Sequence, residues 1–509
     1  MRGFVLGATI AAPEALQAAG VPPPRSNVIV GIAVSHASRP TSWLEYCEHT
    51  RFGHTGPMLL PGAAQRERID MDDLSCSREL LRFIKESPSA FHTVAAIRSR
   101  LDAAGFAYLP EHESWTVEPG GSYYTCRNGS SIIAFKAPNT LTNYHFQMSA
   151  AHGDSPTYKV KAAPELAGPA EYLRLNVEGY GGMIDYTWLD RPLSVAGRVM
   201  VEHDGTIESR LLSIDRDILL IPSVAIHMNR QVNEGFAFNR AVDLCPLFSA
   251  GALERGAFDA LVARELGGEP TQVLGRDLVL VNRQEGVIWG AENEFVSAGH
   301  LDDLQCAYAS LEGFLTAKQG GGVAVYACFD NEEVGSGTKQ GAKSTFLHDV
   351  LLRLTLAIGL TEADYMRALA GSMLVSCDNA HAVHPNHPEH ADAENRPVLN
   401  GGVVVKEHAS QLYTTDAFSR AVFGTLCRDA GVPVQVFANR SDKRGGSTLG
   451  NLSNAQVSVH ALDIGLPQLA MHSAYETAGV RDTAWGVAAL KAFFEADLTI
   501  EGAERARIG

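Results

Sequence analysis

The sequence has no closely spaced cysteine pairs and no long apolar run. Its eight cysteines are scattered without a CxxC pair, which is typical of reduced thiols in a cytoplasmic enzyme. No apolar run approaches the roughly 20 residues of a membrane-spanning helix. A short apolar stretch at residues 4–12 follows a single arginine, but no convincing cleavage site follows it, so we do not expect a secretion signal. The sequence therefore predicts a cytoplasmic protein that neither spans nor binds a membrane.

Basic residues are also few. Lys and Arg number 42 against 58 Asp and Glu, which gives a formal net charge of -16. This acidic balance disfavours nucleic acid as the main partner, because binding to phosphates needs clustered positive charge. The remaining composition, with 45% hydrophobic and 20% charged residues, is that of a globular protein with a sizeable core.

Several common catalytic signatures are missing as well. We find no GxSxG elbow, no phosphate-binding P-loop, no HExxH motif and no GxGxxG fingerprint. These absences disfavour serine hydrolases of the α/β type, nucleotide-dependent enzymes, metallopeptidases with the HExxH helix and dinucleotide-dependent oxidoreductases. Any chemistry must come from other residues.

The chain divides into parts of different pattern. Residues 1–70 show no sustained helical or strand period, and we interpret them as a disordered extension or a misassigned start. Strand-like runs then alternate with helical patterns, as at 143–150 and 304–318, which predicts an α/β sheet with helices on both faces. Short β-type runs and glycine-rich turns interrupt this alternation at residues 162–290. We therefore predict a β-rich domain inserted into an α/β domain.

The first candidate site lies directly after a predicted strand, in the motif Ala-His-Gly-Asp-Ser-Pro that contains His152 and Asp154. A histidine at the carboxyl end of a strand points into the crevice where open α/β sheets bind ligands. Asp154 could orient a metal-bound His152 through a hydrogen bond to its far nitrogen. On this motif alone, a plain polar residue at a strand end is the more common explanation.

Four further motifs add acidic residues and a second histidine. Each of them alone also fits a structural role, such as a helix cap, a solvated acidic turn or a satisfied core histidine. The two adjacent glutamates are the least easily explained, because one can bind metal while the other takes a proton from water. The residues concerned are Asp302, Glu332, Glu333, Asp378 and His472.

Taken together, these side chains supply what a two-metal site needs. Two divalent ions about 3.5 Å apart require a bridging carboxylate and further nitrogen and oxygen ligands on each side. Imidazole and carboxylate suit zinc, and also cobalt or manganese. A neighbouring carboxylate that binds no metal can then act as general base. The set therefore predicts metal-dependent hydrolysis.

The same motifs, in the same order, resemble those of the aspartyl aminopeptidase family, which includes the vacuolar aminopeptidase I type. The resemblance runs over residues 80–494 and extends to stretches outside the metal set, such as 188–192 and 221–227. It implies a zinc-exopeptidase-type mixed sheet, with an α/β catalytic domain at residues 71–161 and 291–509. It also implies removal of N-terminal residues from short peptides, with two Zn²⁺ per subunit and Co²⁺ or Mn²⁺ as substitutes.

The resemblance assigns roles to individual residues. Glu332 matches the general base, and Asp154 matches the residue that orients the first histidine. Five side chains match metal ligands, two for each ion alone and one as the bridge between the ions: His152 and Asp378, Glu333 and His472, and Asp302 as the bridge.

Substrate contacts are implied by the same resemblance. Lys406 matches a lysine near the pocket for the first side chain, where it would pair with an acidic N-terminal residue. A solvated lysine after a strand is the alternative explanation. His381 and Tyr413 match further substrate contacts. Family members prefer acidic, leucyl or lysyl residues, and we expect Asp and Glu here because of Lys406.

Family members build a tetrahedral dodecamer from dimers, so the resemblance also implies self-association. The inserted domain at 162–290 would form the dimer. In relatives, the counterpart of His227 reaches the active site of a neighbouring subunit, although an ordinary interface histidine explains His227 equally well.

Two alternatives to an aminopeptidase remain open. A related dizinc enzyme could hydrolyse another amide, but the matching stretches outside the metal set argue against it. A catalytically idle assembly protein could use metal only as a brace. Glu332 argues against that alternative, because a bracing site needs no spare base.

Overall fold

The structure, a computed structural model, describes residues 71–269 and 272–509. The extension predicted at residues 1–70 lies outside these described residues. Within them, the strands form sheets of nine, six, five and two strands. The fold is therefore mixed α/β, as the sequence predicted.

A nine-stranded mixed sheet lies at the centre. Its middle strands are apolar and buried along their whole length, which is typical of parallel strands covered on both faces. The strands follow each other across this sheet in the order β1 (Ala107–Tyr108), β2 (Ser122–Arg127), β3 (Ser131–Lys136), β13 (Val323–Phe329), β4 (Phe146–His152), β14 (Met373–Cys377), β18 (His460–Gly465), β16 (Val403–Glu407) and β17 (Val434–Ala438).

Helices cover both faces of this sheet and bury two separate apolar cores. None of the helices in the described ranges is long and apolar enough to cross a membrane. One face carries α1 (Met71–Glu86), α2 (Ala90–Ala103), α5 (Leu301–Thr316), α8 (Ala417–Asp429) and α10 (Val480–Glu495), and the other carries α6 (Phe346–Ala357), α7 (Glu362–Ala370) and α9 (Leu449–Asn454).

The cap of α7 shows how local chemistry sets a helix start. The Thr361 hydroxyl accepts the backbone N–H of Asp364, and the Asp364 carboxylate accepts the backbone N–H of Thr361 at 2.8 Å. This reciprocal pair is a capping box, which satisfies two N–H groups that the first helical turn leaves without partners.

A six-stranded antiparallel sheet with its own apolar core occupies most of the predicted stretch at residues 162–290, although its strand β5 begins at residue 157. Leu219 and Leu220 form only isolated bridges there, with Leu193 and Leu247. Two short helices, α3 (Arg240–Asp243) and α4 (Ala257–Glu265), belong to the same stretch. The strand order is β8 (Thr206–Ser213), β7 (Leu193–His203), β10 (Val273–Asn282), β5 (Thr157–Ala167), β6 (Tyr172–Tyr180) and β9 (Leu247–Ala250).

The two smaller sheets complete the described fold. The two-stranded sheet pairs β21 (Leu498–Glu501) with β22 (Arg505–Ile508). The five-stranded sheet has the order β11 (Val287–Trp289), β12 (Phe295–Ala298), β20 (Glu476–Gly479), β19 (Pro467–Leu469) and β15 (Ala380–His381).

Element boundaries differ from the sequence predictions by a few residues. The strand predicted at 143–150 extends to residue 152, and the helix predicted at 304–318 begins at residue 301. Both shifts matter for the site, because His152 becomes the last residue of β4 and Asp302 falls in the first turn of α5.

Candidate metal centre

The carboxyl ends of three parallel strands bring four predicted residues together. β4 ends at His152, Asp378 follows β14 directly, and Glu332 and Glu333 form a short 3₁₀ turn shortly after β13. Both β13 and β14 pair with β4 in parallel register. The three strand ends therefore meet at one edge of the sheet, which is where open α/β sheets bind ligands.

The five-stranded sheet positions the remaining two residues. Asp302 lies in the first turn of α5, shortly after β12, and His472 lies in the loop that joins β19 to β20. Because β12 and β20 are paired neighbours, both side chains reach the same edge of the central sheet.

All five predicted metal ligands lie in one group. The Nε2 atom of His152 is 3.6 Å from Asp302 Oδ1, and the Nε2 atom of His472 is 3.2 Å from Asp302 Oδ2 and 3.4 Å from Glu333 Oε2. Asp302 thus presents one oxygen to each histidine. Asp378 joins His152, Asp302 and Asp303 in a group whose ligand atoms lie within 4.8 Å of one another.

The proton on His152 is placed by its hydrogen bond. The Nδ1 atom of His152 is 3.0 Å from the backbone carbonyl oxygen of Asp154. Since a carbonyl can only accept, Nδ1 carries the proton and Nε2 presents its lone pair toward Asp302. The Asp154 carboxylate lies 3.4 Å from the same Nδ1 atom, so the predicted contact is made mainly by the backbone.

Two buried carboxylate oxygens of this group have no hydrogen-bond partner, Asp302 Oδ1 and Glu333 Oε1. A buried charged oxygen without a donor is costly, unless it coordinates a metal ion. Both oxygens belong to a donor set of imidazoles and carboxylates, which are the ligands zinc prefers. The residues therefore fit divalent metal ions.

The charges of the site favour cations too. Burial raises the pKa of Glu332 to about 8, and the nearby Asp378 carboxylate adds to this rise. Burial and the Asp302 carboxylate raise the pKa of Glu333 well above its usual value. Both shifts show that ionised carboxylates repel each other in a poorly hydrated space. Divalent cations would relieve that repulsion.

Two further carboxylates hold the predicted ligands in place, and neither role was predicted from the sequence. Asp303 accepts the backbone N–H of His152 at 3.0 Å. Glu476 accepts the backbone N–H of His472 at 2.7 Å and that of Asp302 at 3.0 Å. Both carboxylates are buried. The sequence offers no clear signal for either role, because Asp303 stands beside Asp302 in a motif already assigned to the metal site and Glu476 lies between Tyr475 and Thr477.

A tyrosine from the six-stranded sheet also reaches the site. The hydroxyl of Tyr180, the last residue of β6, donates to Asp154 Oδ2 at 2.7 Å and accepts from Asn331 Nδ2 at 2.9 Å. The Asp154 carboxylate also accepts the backbone N–H groups of Glu332 and Glu333. Tyr180 therefore connects Asp154, which contacts His152, to the turn that carries Glu332 and Glu333.

The predicted substrate residues fall into two places. Lys406 is buried on β16, with Nζ 3.4 Å from Asp378 Oδ1 and 5.5 Å from the centre of the Tyr413 ring. Phe437, which the sequence analysis did not single out, lies 6.4 Å from the Tyr413 ring and 5.9 Å from the His381 ring. These four side chains are neighbours, and Lys406 connects them to the predicted ligand Asp378. His227 lies elsewhere in the chain's fold, in an exposed segment between β8 and β9.

Comparison with known proteins places this arrangement in a family. Residues 83–494 match the family model described as aminopeptidase I zinc metalloprotease (M18). The chain belongs to the M18 family of aminopeptidases. The resemblance drawn from the motifs at 80–494 is thereby confirmed, and the chain is a metallopeptidase of this family.

Individual M18 proteins agree with this assignment. A probable M18 family aminopeptidase 2 of Clostridium novyi is 45% identical over 424 residues, covering 82% of this chain and 98% of the relative. A solved complex of Ape4 with Nbr1 is 34% identical, with a TM-score of 0.80 and coverage of 83% and 86%. The S. cerevisiae mApe1 dodecamer is 28% identical, with a TM-score of 0.71 and coverage of 82% and 96%. These M18 relatives favour aminopeptidase activity over both alternatives left open by the sequence.

Proposed function

We propose that this M18 aminopeptidase removes the N-terminal residue of short peptides at a centre of two zinc ions, which Co²⁺ or Mn²⁺ can replace. The position of Asp302 carries the proposal, because its two carboxylate oxygens face one histidine each. A carboxylate in this position suits a bridge between two ions. His152 and Asp378 would be the other ligands of one ion, and Glu333 and His472 would be the other ligands of the second ion.

Glu332 is the proposed general base. When bound, the two ions would lower the pKa of a water molecule and polarise the scissile carbonyl. Glu332 is adjacent in sequence to the proposed ligand Glu333, and its carboxylate lies within 4.8 Å of ligand atoms of Glu333 and His152, beside the group formed by Glu333, Asp302 and His472. In this position its carboxylate would take a proton from the attacking water and deliver it to the leaving amine. Asp154 holds both glutamates by accepting their backbone N–H groups.

The two adjacent glutamates provide the test, with each variant as the control of the other. We expect Glu332→Gln to keep its bound zinc and to lose roughly 10²- to 10⁴-fold in kcat, because a general base is removed. Glu333→Gln should instead lose bound zinc. Zinc content and single-substrate kinetics measure both. Full activity in Glu332→Gln would refute the proposed base, and zinc loss in Glu332→Gln alone would exchange the two roles.

The proposed preference for acidic N-termini rests on Lys406. Its ammonium group is buried, and its pKa is raised by the Asp378 carboxylate although burial opposes the shift, so it remains charged. An ammonium has three donors, and the contact with Asp378 leaves others for a substrate carboxylate. Tyr413 and His381 would contact the substrate beside it.

A panel of substrates tests this preference. Peptides beginning with Asp, Glu, Leu, Lys or Ala are offered to zinc-loaded protein and to a chelated control. We expect chelation to abolish cleavage, Asp and Glu to be cleaved fastest, and Lys406→Met to lower the ratio of kcat/KM for Asp over Leu. Chelator-sensitive cleavage that is fastest for peptides beginning with Leu or Lys would support the metal chemistry and contradict the proposed acidic preference.

We also propose that residues 162–290 form a dimerisation domain and that dimers build a tetrahedral dodecamer. The dodecamer of the S. cerevisiae relative supports this proposal, as do three exposed apolar side chains of the same stretch, Val224, Ile226 and Met228. His227 lies between two of them, where a neighbouring subunit would cover it. A cytoplasmic location is part of the proposal, because the cysteines of the described residues are free thiols.

A further inference from the structure

A second group of metal-binding side chains lies outside the proposed catalytic centre. His387, Glu389 and His390 belong to the segment that joins β15 to β16, and their ligand atoms lie within 4.8 Å of one another. The Nδ1 atom of His387 is 3.1 Å from Glu389 Oε1, and the Nε2 atom of His390 is 3.9 Å from the same oxygen. All three side chains are exposed, so the group is accessible to ions in solution.

The backbone, rather than chance, makes these side chains converge. A 3₁₀ turn spans Pro388–His390, with His387 as its N-cap residue. Side chains three residues apart eclipse each other in a 3₁₀ turn, which places His387 and His390 on the same side. Their rings are 5.5 Å apart with an angle of 32° between planes. Proline at the first position of the turn fixes its φ and limits the conformations available.

Neighbouring charges leave the group suitable for a cation. Arg440 donates to the backbone carbonyl oxygen of Glu389, and its charge is balanced by Asp442, whose carboxylate is 2.9 Å from Arg440 Nε. The arginine contact also tethers the turn to the loop after β17.

We propose that His387, Glu389 and His390 form an additional, exposed site for a divalent transition-metal ion. Two imidazoles and a carboxylate suit Zn²⁺, Cu²⁺ or Ni²⁺, with water in the remaining positions. The site shares no residue with the proposed catalytic centre. It stands or falls independently of the proposed peptidase mechanism.

A neighbouring histidine supplies a matched control. The ring of His384 is 5.3 Å from that of His387, but the Nδ1 atom of His384 accepts the backbone N–H of Asn386 at 3.2 Å. A neutral imidazole that accepts at Nδ1 carries its proton on Nε2, so this ring offers no free lone pair. His384 is therefore not a ligand in this arrangement, and His384→Ala should keep the site.

Equilibrium dialysis of the zinc-loaded full chain against added Zn²⁺ tests the proposal. The wild type and His384→Ala should each bind one more weakly held Zn²⁺ per chain than His387→Ala or His390→Ala, whose affinity should fall at least about tenfold. The count is a difference between variants, so it does not depend on how many ions the catalytic centre holds. Cu²⁺ added in place of Zn²⁺ should give an electron paramagnetic resonance spectrum with coupling to two imidazole nitrogens.

Either of two results would overturn the site. One is equal zinc uptake by the wild type and His387→Ala. The other is loss of the extra ion in His384→Ala, which would give that ring the role assigned here to its neighbours. Peptide hydrolysis by all three variants serves only as a check that the chains are folded, and the proposal requires it to remain at the wild-type level.

Discussion

At the scale of single residues, buried glutamates that accept two backbone N–H groups occur at two places in the described chain. Glu476 accepts those of His472 and Asp302, whereas Glu165 accepts those of Gly256 at 2.6 Å and Phe258 at 2.7 Å. Both side chains are buried, but only Glu476 touches proposed metal ligands. Glu476 and Glu165 therefore make the same kind of interaction, but only Glu476 makes it at the proposed metal centre.

This pair separates a stability effect from an effect on metal binding. An amide in place of either carboxylate leaves one N–H facing an NH₂ group, so Glu476→Gln and Glu165→Gln should each destabilise the fold by about 1–3 kcal/mol. Only Glu476→Gln should also weaken zinc binding, by roughly 10- to 100-fold, because it no longer fixes two ligand backbones. Denaturant unfolding and zinc competition measure the two quantities. Equal zinc affinity in both variants would mean that Glu476 is only a structural residue.

The sequence was enough to propose the ligands but not the residues that hold them. His152 and Asp378 could be predicted because a polar residue directly after an apolar strand is visible in the sequence. Asp303 and Glu476 could not, because their role depends on which backbone N–H groups fold next to them. Phe437 could not be singled out from the sequence, because its position between the rings of His381 and Tyr413, the proposed substrate contacts, is set by the fold.

At the scale of elements, β6 connects the six-stranded sheet to the turn that carries Glu332 and Glu333. The alternation of strands and helices was enough to predict the central sheet, since apolar runs and helical periods are local patterns. The contacts of Tyr180 with Asp154 and Asn331 were not predictable, because they join distant parts of the chain. Tyr180 and Asn331 are separated by 151 residues in the sequence. Such pairings depend on how strands of different sheets are arranged, and no local pattern encodes that.

The contact of Tyr180 predicts a defect that a neighbouring tyrosine should not share. Tyr180→Phe removes a donor to Asp154, so the turn that carries Glu332 and Glu333 should be held less firmly. We expect kcat and zinc affinity to fall, the latter by roughly 10- to 100-fold.

Tyr158 is the matched control for this variant. Its hydroxyl donates to Asp185 at 2.8 Å in the same six-stranded sheet, and it makes no contact with the proposed ligands. Tyr158→Phe deletes the same group and should change stability while leaving zinc affinity and kcat near the wild-type values. A similar loss of zinc in both variants would trace the effect to the sheet as a whole rather than to the Tyr180 hydroxyl.

At the scale of the whole molecule, the proposed assembly connects surface composition to catalysis. Apolar side chains at the surface are common singly, but Val224, Ile226 and Met228 occur within five residues, and Met228 is 81% exposed. The sequence motif around His227 was recognised only through the family resemblance, because one chain cannot show which residues another copy supplies. If a neighbouring subunit covers this segment, the loss of that contact should change both the size of the assembly and the activity.

Two substitutions in this segment separate assembly from catalysis. Met228→Asp introduces a charge where a partner would pack, so light scattering should show smaller assemblies than the wild type forms. Met366→Asp is the matched control, because Met366 is 67% exposed on α7 and lies outside the proposed interface. His227→Ala should keep the wild-type mass but lose activity if His227 reaches a neighbouring active site. Full activity of His227→Ala in an intact assembly would make it an ordinary interface histidine, and an unchanged mass in Met228→Asp would remove this segment from the dimer contact.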